Sequence, residues 1–114
     1  MIYNFEKQTP IDILHLEGNL LGAPETQNLL DEITQKIEEN NKLFIVDLKE
    51  VKFINSMGLN MLLSILTKVR KAGGEVVLIN IPEQLSKLLV ITKLTSVFHI
   101  LDNREIAMEK LKAL

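Results

Sequence analysis

The chain contains no cysteine and no tryptophan, and only three prolines and five glycines in 114 residues. The missing cysteine rules out disulfides, thiolate metal sites and a cysteine nucleophile, and is compatible with an expected cytoplasmic location. Aromatics are limited to one tyrosine and four phenylalanines, too scattered to make a base-stacking platform. Charge is nearly balanced, with a formal net value of −2, so there is no electrostatic reason to expect nucleic acid or an anionic membrane as partner. No apolar run approaches the roughly 20 residues needed to span a bilayer, and membrane insertion is not expected. The segment Met1 to Lys7 lacks the basic head and apolar middle of a secretory leader. Repeats, low-complexity tracts and linkers are absent. The expectation is one domain over residues 1–114, large enough for its own core.

Enzyme constellations are also scarce. His15 and His99 lie inside apolar, strand-like segments with no acidic or histidine neighbour at metal-ligand spacing, and a structural role is expected for both. Asp47 is a lone carboxylate in a strand, suited to a turn or capping role, and no paired carboxylates offer acid/base work. Gly73-Gly74 precedes a strand, whereas a phosphate-binding loop precedes a helix. Catalytic, cofactor-binding and metal-binding residues are therefore not expected.

What is present is a regular alternation. Residues 2–8 and 11–17 read as two strands broken at Thr9-Pro10, close enough in sequence to pair antiparallel. Gly22-Ala23-Pro24-Glu25 announces a helix, because proline is tolerated at its first position and glutamate suits its first turn. That helix carries the stripe Leu29, Leu30, Ile33, Ile37 and an i,i+4 pair, Glu32 with Lys36, and it ends at Asn40-Asn41. Leu43 to Leu48 is nearly all apolar, as in a buried central strand. A helix follows Ser56, with Leu59, Leu62, Leu63, Leu66 and Val69 on its main stripe and Met61 and Ile65 off it. Such a helix is buried on two sides or keeps a face for a partner.

Gly73-Gly74 stops that helix, and Glu75 to Ile79 is the next strand. Pro82 opens a third helix carrying Leu85, Leu88 and Leu89, with Ile91 as a further candidate. Val97 to Ile100 is a short strand, and Asp102-Asn103 caps a last helix that turns Ile106, Ala107 and Leu111 inward. The order implies an α/β fold with a mixed, mostly parallel sheet of about four or five strands and about four helices.

The stretch Asn55-Ser56-Met57-Gly58-Leu59 carries the most specific signal. Ser56 sits where a helix N-cap is expected, its hydroxyl able to accept from a free backbone N–H. A phosphate there would meet the positive end of the helix dipole. Both an ordinary cap and a regulatory serine fit this position.

The run Val46-Asp47-Leu48 followed by Val51-Lys52-Phe53-Ile54-Asn55-Ser56-Met57-Gly58-Leu59 resembles the signature of the STAS domain of bacterial anti-sigma factor antagonists. In that family an apolar strand ending in Asp-Leu leads through an aromatic or apolar pair to Asp-Ser-Ser-Gly-Leu and a helix. The resemblance continues upstream in Leu16-Glu17-Gly18-Asn19-Leu20 and downstream in Gly73-Gly74-Glu75, Asn80-Ile81-Pro82, Leu88-Leu89 and Thr92-Lys93-Leu94. Asn55 replaces the usual acidic residue, Met57 the second serine and Lys93 a common glycine. Asn19 and Leu21 stand where acidic residues are frequent.

The resemblance implies the STAS fold and a switch protein that is not an enzyme. Unphosphorylated, it would bind an anti-sigma factor that is also a serine kinase with a histidine-kinase-like ATPase fold. Phosphorylated on Ser56 it would be released, and a serine phosphatase would reset it. The expected docking surface comprises Asn19, Leu21, Gly22, Asn55, Ser56, Met57, Gly58, Leu59, Asn60 and the helix side around Met61. The alternative is a non-switching STAS module that docks on a partner ATPase or scaffold, as in lipid-transport accessory subunits, with Ser56 serving only as a cap.

Overall fold

The computed structural model describes residues 1–22 and 25–113. Its elements run β1 (Ile2–Gln8), β2 (Ile11–Leu20), α1 (Glu25–Glu38), β3 (Leu43–Ile54), α2 (Ser56–Lys71), β4 (Glu75–Ile79), α3 (Glu83–Ile91), β5 (His99–Leu101) and α4 (Arg104–Lys112). The sheet keeps sequence order, β1-β2-β3-β4-β5. The first pair is antiparallel and the other three pairs are parallel, as the strand–helix alternation predicts.

The two-residue period of the strands divides the core. Leu14, Leu16, Phe44, Val46, Leu48, Val76 and Leu78 point to one side, where they pack with α1, α2 and α3. Ile11, Ile13, Ile45, Val77 and Ile79 point to the other, under Ala107 and Leu111 of α4. Because both faces of β3 and β4 are covered, their apolar runs are nearly continuous. No helix among the described residues is long and apolar enough to cross a membrane.

β3 is twice the length that its apolar run predicts. Beyond Leu48 it continues past Lys49-Glu50 because Val51 and Ile54 still point into the core. This second half pairs with β2 alone: β4 stops at the pair Asp47↔Ile79, while β2 and β3 run on to Leu20↔Ile54. Lys49, Glu50 and Lys52 are exposed on this two-stranded extension.

Three helices end alike. Asn40, Gly73 and Lys93 each take positive φ, at 68°, 85° and 60°. The next residue then donates back to a carbonyl five positions earlier: Asn41 to Lys36, Gly74 to Val69 and Leu94 to Leu89. This C-terminal closure satisfies orphan carbonyls and favours glycine at the left-handed position. The family's common glycine at position 93 thus has a conformational reason, and Lys93 adopts the same angle under strain.

Several side chains depart from the sequence expectations. Ile91 is 77% exposed and Ile106 44% exposed, so neither belongs to the core. Each sits at the margin of a nine-residue helix whose buried positions are two, Leu85 and Leu89 in α3 and Ala107 and Leu111 in α4. The Glu32–Lys36 pair does not form, because both side chains turn to the sheet. Glu32 accepts from the Tyr3 hydroxyl at 3.1 Å, and Lys36 reaches buried Asp12 at 3.7 Å and lies over the Phe5 ring. Pro24 lies outside the described residues. Asp12, only 1% exposed, also receives Lys7 at 3.2 Å, so its buried charge is paired from two sides.

On the α4 side, His15 lies between Glu6, 2.9 Å from Nε2, and Asp47, 3.2 Å from Nδ1. Glu6 is also bound by the Arg104 guanidinium, which ties the start of α4 to β1. Asp47 accepts from the Lys49 backbone and from Asn80 Nδ2, both at 3.0 Å. The histidine and the carboxylate thus meet across neighbouring strands, an encounter that linear spacing does not reveal. No cluster of three metal-ligating side chains occurs among the described residues.

Two predictions follow from this packing. Leu62 is buried on α2, and Leu62→Ala should lower unfolding free energy by about 2–5 kcal/mol in a denaturant titration. Glu6 is held at about 2, below its ordinary 4.5, first by Arg104 and then by His15 and Gln8. Its ionised form therefore contributes stability above the ordinary value, and that contribution fades as pH falls toward about 2. Urea titrations at about pH 6 and about pH 3 should show wild type losing more stability on acidification than Glu6→Gln.

Candidate functional site

The β2–β3 extension delivers two loops to one place. At its tip the Asn55 backbone N–H donates to the Leu20 carbonyl at 3.4 Å, and the Ile54 N–H donates to Gln84 Oε1 of α3 at 3.0 Å. The loop after β2, Leu21-Gly22, and the start of α2 are thereby fixed side by side.

Gly58 makes this contact possible. A Cβ on Gly58 would stand 2.1 Å from the Leu20 carbonyl oxygen, a backbone atom that cannot swing away. Gly22 meets the same turn from the other loop: a Cβ there would lie 2.9 Å from Met57 Cβ, and its φ of +100° is open only to glycine at low cost. The two glycines are the points of closest approach between the loops.

The helix cap is Asn55, a correction to the expectation that Ser56 caps. Asn55 has extended backbone, φ −120° and ψ −174°, and its Oδ1 accepts from the Gly58 N–H at 3.0 Å. Its carbonyl accepts the first helical bond, from Leu59 N at 3.0 Å. Asparagine is as good a cap as serine, and being one residue earlier it takes the position. Ser56 is then the first helical residue, exposed, its hydroxyl without a hydrogen bond among the described residues. The first turn of α2 has no acidic side chain.

Around Ser56 the expected docking residues separate into two groups. Asn19, Leu21, Ser56, Met57 and Asn60 are exposed and Asn55 is half-buried. Met57 is 56% exposed and Leu21 46%, so each of the two loops presents a large apolar side chain at the surface. Gly22, Gly58, Leu59 and Met61 are buried and shape the surface from beneath. Met61 itself is only 2% exposed, although it lines a groove together with exposed Asn60 and Ser64. Of the two meanings of an apolar second face, burial on two sides holds for Met61 and Ile65. Thr26, Gln27 and Ser64, absent from the sequence expectation, line an open groove of about 310 Å³ beside Gly22 and Met57. Phe53 is also exposed near the tip, and its place next to buried Ile54 on an alternating strand was the available signal.

The site offers a hydroxyl at a helix start, neutral amides and apolar side chains. It holds no carboxylate, histidine or cation positioned for proton transfer among the described residues. Its chemistry is that of recognition, with one modifiable hydroxyl.

The cap assignment predicts that Asn55→Ala destabilises by about 0.5–2 kcal/mol while Ser56→Ala changes little, both read by thermal or urea unfolding. Gly58→Ala should cost more than either, because the Leu20 carbonyl must move.

Comparison with known proteins agrees with this architecture. A STAS domain family model matches residues 3–107. BtrV of Bordetella bronchiseptica, named as a candidate anti-sigma factor antagonist, is 24% identical over 97 residues, covering 85% of this chain and 83% of that protein. A Thermotoga maritima structure described as a candidate anti-sigma factor antagonist superposes with a TM-score of 0.85 at 20% identity, covering 96% of this chain and 94% of that one. SpoIIAA in its unphosphorylated form gives a TM-score of 0.78 at 16% identity, covering 99% of this chain and 100% of that one. The Bacillus protein is also known in a phosphorylated form. With five strands in this order, α1 to α3 on one face and α4 on the other, and a family match over residues 3–107, the chain belongs to the STAS domain family.

Proposed function

We propose that this chain is an anti-sigma factor antagonist whose docking face is switched by phosphorylation of Ser56. In this reading the whole chain acts as a single STAS domain in the cytoplasm and binds without catalysing. Its partner is an anti-sigma factor that is also a serine kinase of the histidine-kinase-like ATPase fold. A serine phosphatase reverses the modification. The names carried by BtrV and SpoIIAA support the partner class.

The observation that carries the reading is the division of labour between Asn55 and Ser56. Asn55 caps α2, so the Ser56 hydroxyl is exposed and can be modified without removing the cap. A phosphoserine brings about −1.5 to −2 charge. Placed at the helix start it meets the positive dipole end and no acidic neighbour in the first turn, so the fold tolerates it. A partner that covers Met57 and Leu21 would have to desolvate that charge without pairing it, which costs several kcal/mol. The same group is thus neutral for folding and adverse for docking.

Incubation with the cognate kinase and ATP should add one phosphate, on Ser56 and not on Ser64, Ser86 or Ser96, as read by mass spectrometry. Ser56→Asp should keep the melting temperature within a few degrees and weaken anti-sigma binding in titration calorimetry. If no phosphate appears and both proteins bind alike, the non-switching module that docks on a partner ATPase or scaffold replaces this reading.

A further inference from the structure

The groove beside Met57 does not end at the α2 start. A second open groove, of about 480 Å³, lies between Leu30 of α1 and Leu63, Thr67 and Lys68 of α2. The two share Asn60 and Ser64, so they form one seam along the α1–α2 contact. From Met57 to Lys68 the seam follows α2 for about 16 Å, or three helical turns.

Its chemistry changes along its length. Leu30 and Leu63, half-buried and packed on the core, make an apolar floor. Asn60, Ser64 and Thr67 stand along one wall at helical spacing, exposed, and their side chains hold no hydrogen bond among the described residues. At the Met57 end, Thr26 Oγ1 is buried without a hydrogen-bond partner among the described residues. Lys68 closes the far end. Among the described residues it has no ion pair, and none of their carboxylates lines either groove. Helix α2 itself contains no acidic residue.

We infer that this seam is the second half of the docking surface and receives an amphipathic helix of the anti-sigma factor, with a carboxylate near one end set over Lys68. The inference rests on the reading above, because it names the partner's structural element. An apolar ridge would fill the floor between Leu30 and Leu63, as helix-in-groove recognition requires. Hydrogen-bonding side chains would meet Asn60, Ser64 and Thr67, and the carboxylate would supply the counter-charge that no described residue gives Lys68. Continuity with the Ser56 region matters: phosphate at one end and a lysine at the other would make the surface respond to modification without losing its register.

The test uses the same anti-sigma factor kinase as the phosphorylation experiment, titrated against purified variants. Lys68→Glu and Thr67→Glu should each weaken binding by about tenfold or more, through a like-charge encounter with the partner's carboxylate. Lys68→Arg should bind as wild type, as should Lys112→Glu on α4, and circular dichroism should show all four folded. Since the chain has no native cysteine, Ser64→Cys carrying a bulky maleimide gives a second probe and should block binding. If wild type binds and Ser56→Asp binds weakly, yet Lys68→Glu, Thr67→Glu and labelled Ser64→Cys all bind as wild type, the seam is overturned and the phosphoswitch stands. If Lys68→Glu and Thr67→Glu bind weakly while Ser56→Asp binds normally, the seam stands without the switch. If wild type binds no anti-sigma factor, both fall.

Discussion

The structure turns on the approach of the first turn of α2 to the end of β2. Gly58 lets the Leu20 carbonyl come within reach of the helix start, and the Asn55 N–H accepts the geometry by donating to that same oxygen. From this contact follow the juxtaposition of Leu21-Gly22 with Ser56-Met57 and the outward pose of the serine. The seam along α1 follows from it too. It is a steric constraint before it is an energetic one: at 2.1 Å no side-chain carbon fits. The long β2–β3 extension, held on its far flank by Gln84, presents the contact beyond the body of the sheet.

The cap and the hydroxyl proposed for modification are one residue apart. Asparagine at position 55 supplies the neutral acceptor that closes the helix, and serine at 56 is left with an idle hydroxyl. A cap hydroxyl that was itself phosphorylated would exchange one hydrogen-bonding role for another and couple folding to modification. In the proposed switch the two are decoupled. The replacement of the family's usual acidic residue by Asn55 also removes a like charge from beside any phosphate. In the proposed switch, Met57 and Leu21 would give the charge its effect, as exposed apolar surface that a partner would dry.

Much of the architecture was legible in the sequence because apolar period and turn residues report it directly. The order of nine elements, the antiparallel first pair and the closures at Asn40 and Gly73 are visible in this way. What escaped was set by tertiary context. The length of β3 depends on β2 continuing beside it, and the charged Lys49-Glu50 hid that continuation. Ile91 and Ile106 obey helical spacing but are not covered by any element of the described residues. Glu32 and Lys36 would pair on an isolated helix; Tyr3 and Asp12 compete successfully once β1 and β2 are in place. At the site, the motif located the region, but the choice of Asn55 over Ser56 as cap depended on where the β3 ladder let the helix begin. Burial of Met61 likewise required knowing that α1 lies alongside.

The central proposal is that one phosphate on Ser56 weakens docking and spares the fold. The most direct measurement is a paired one on the same sample: affinity for the anti-sigma factor by calorimetry and melting temperature by scanning calorimetry, before and after stoichiometric phosphorylation of Ser56. The account predicts that affinity falls by about tenfold or more while the melting temperature stays level or rises, because the phosphate sits on the helix dipole. Unchanged affinity, or a loss of affinity accompanied by a collapse of the melting transition, would contradict it.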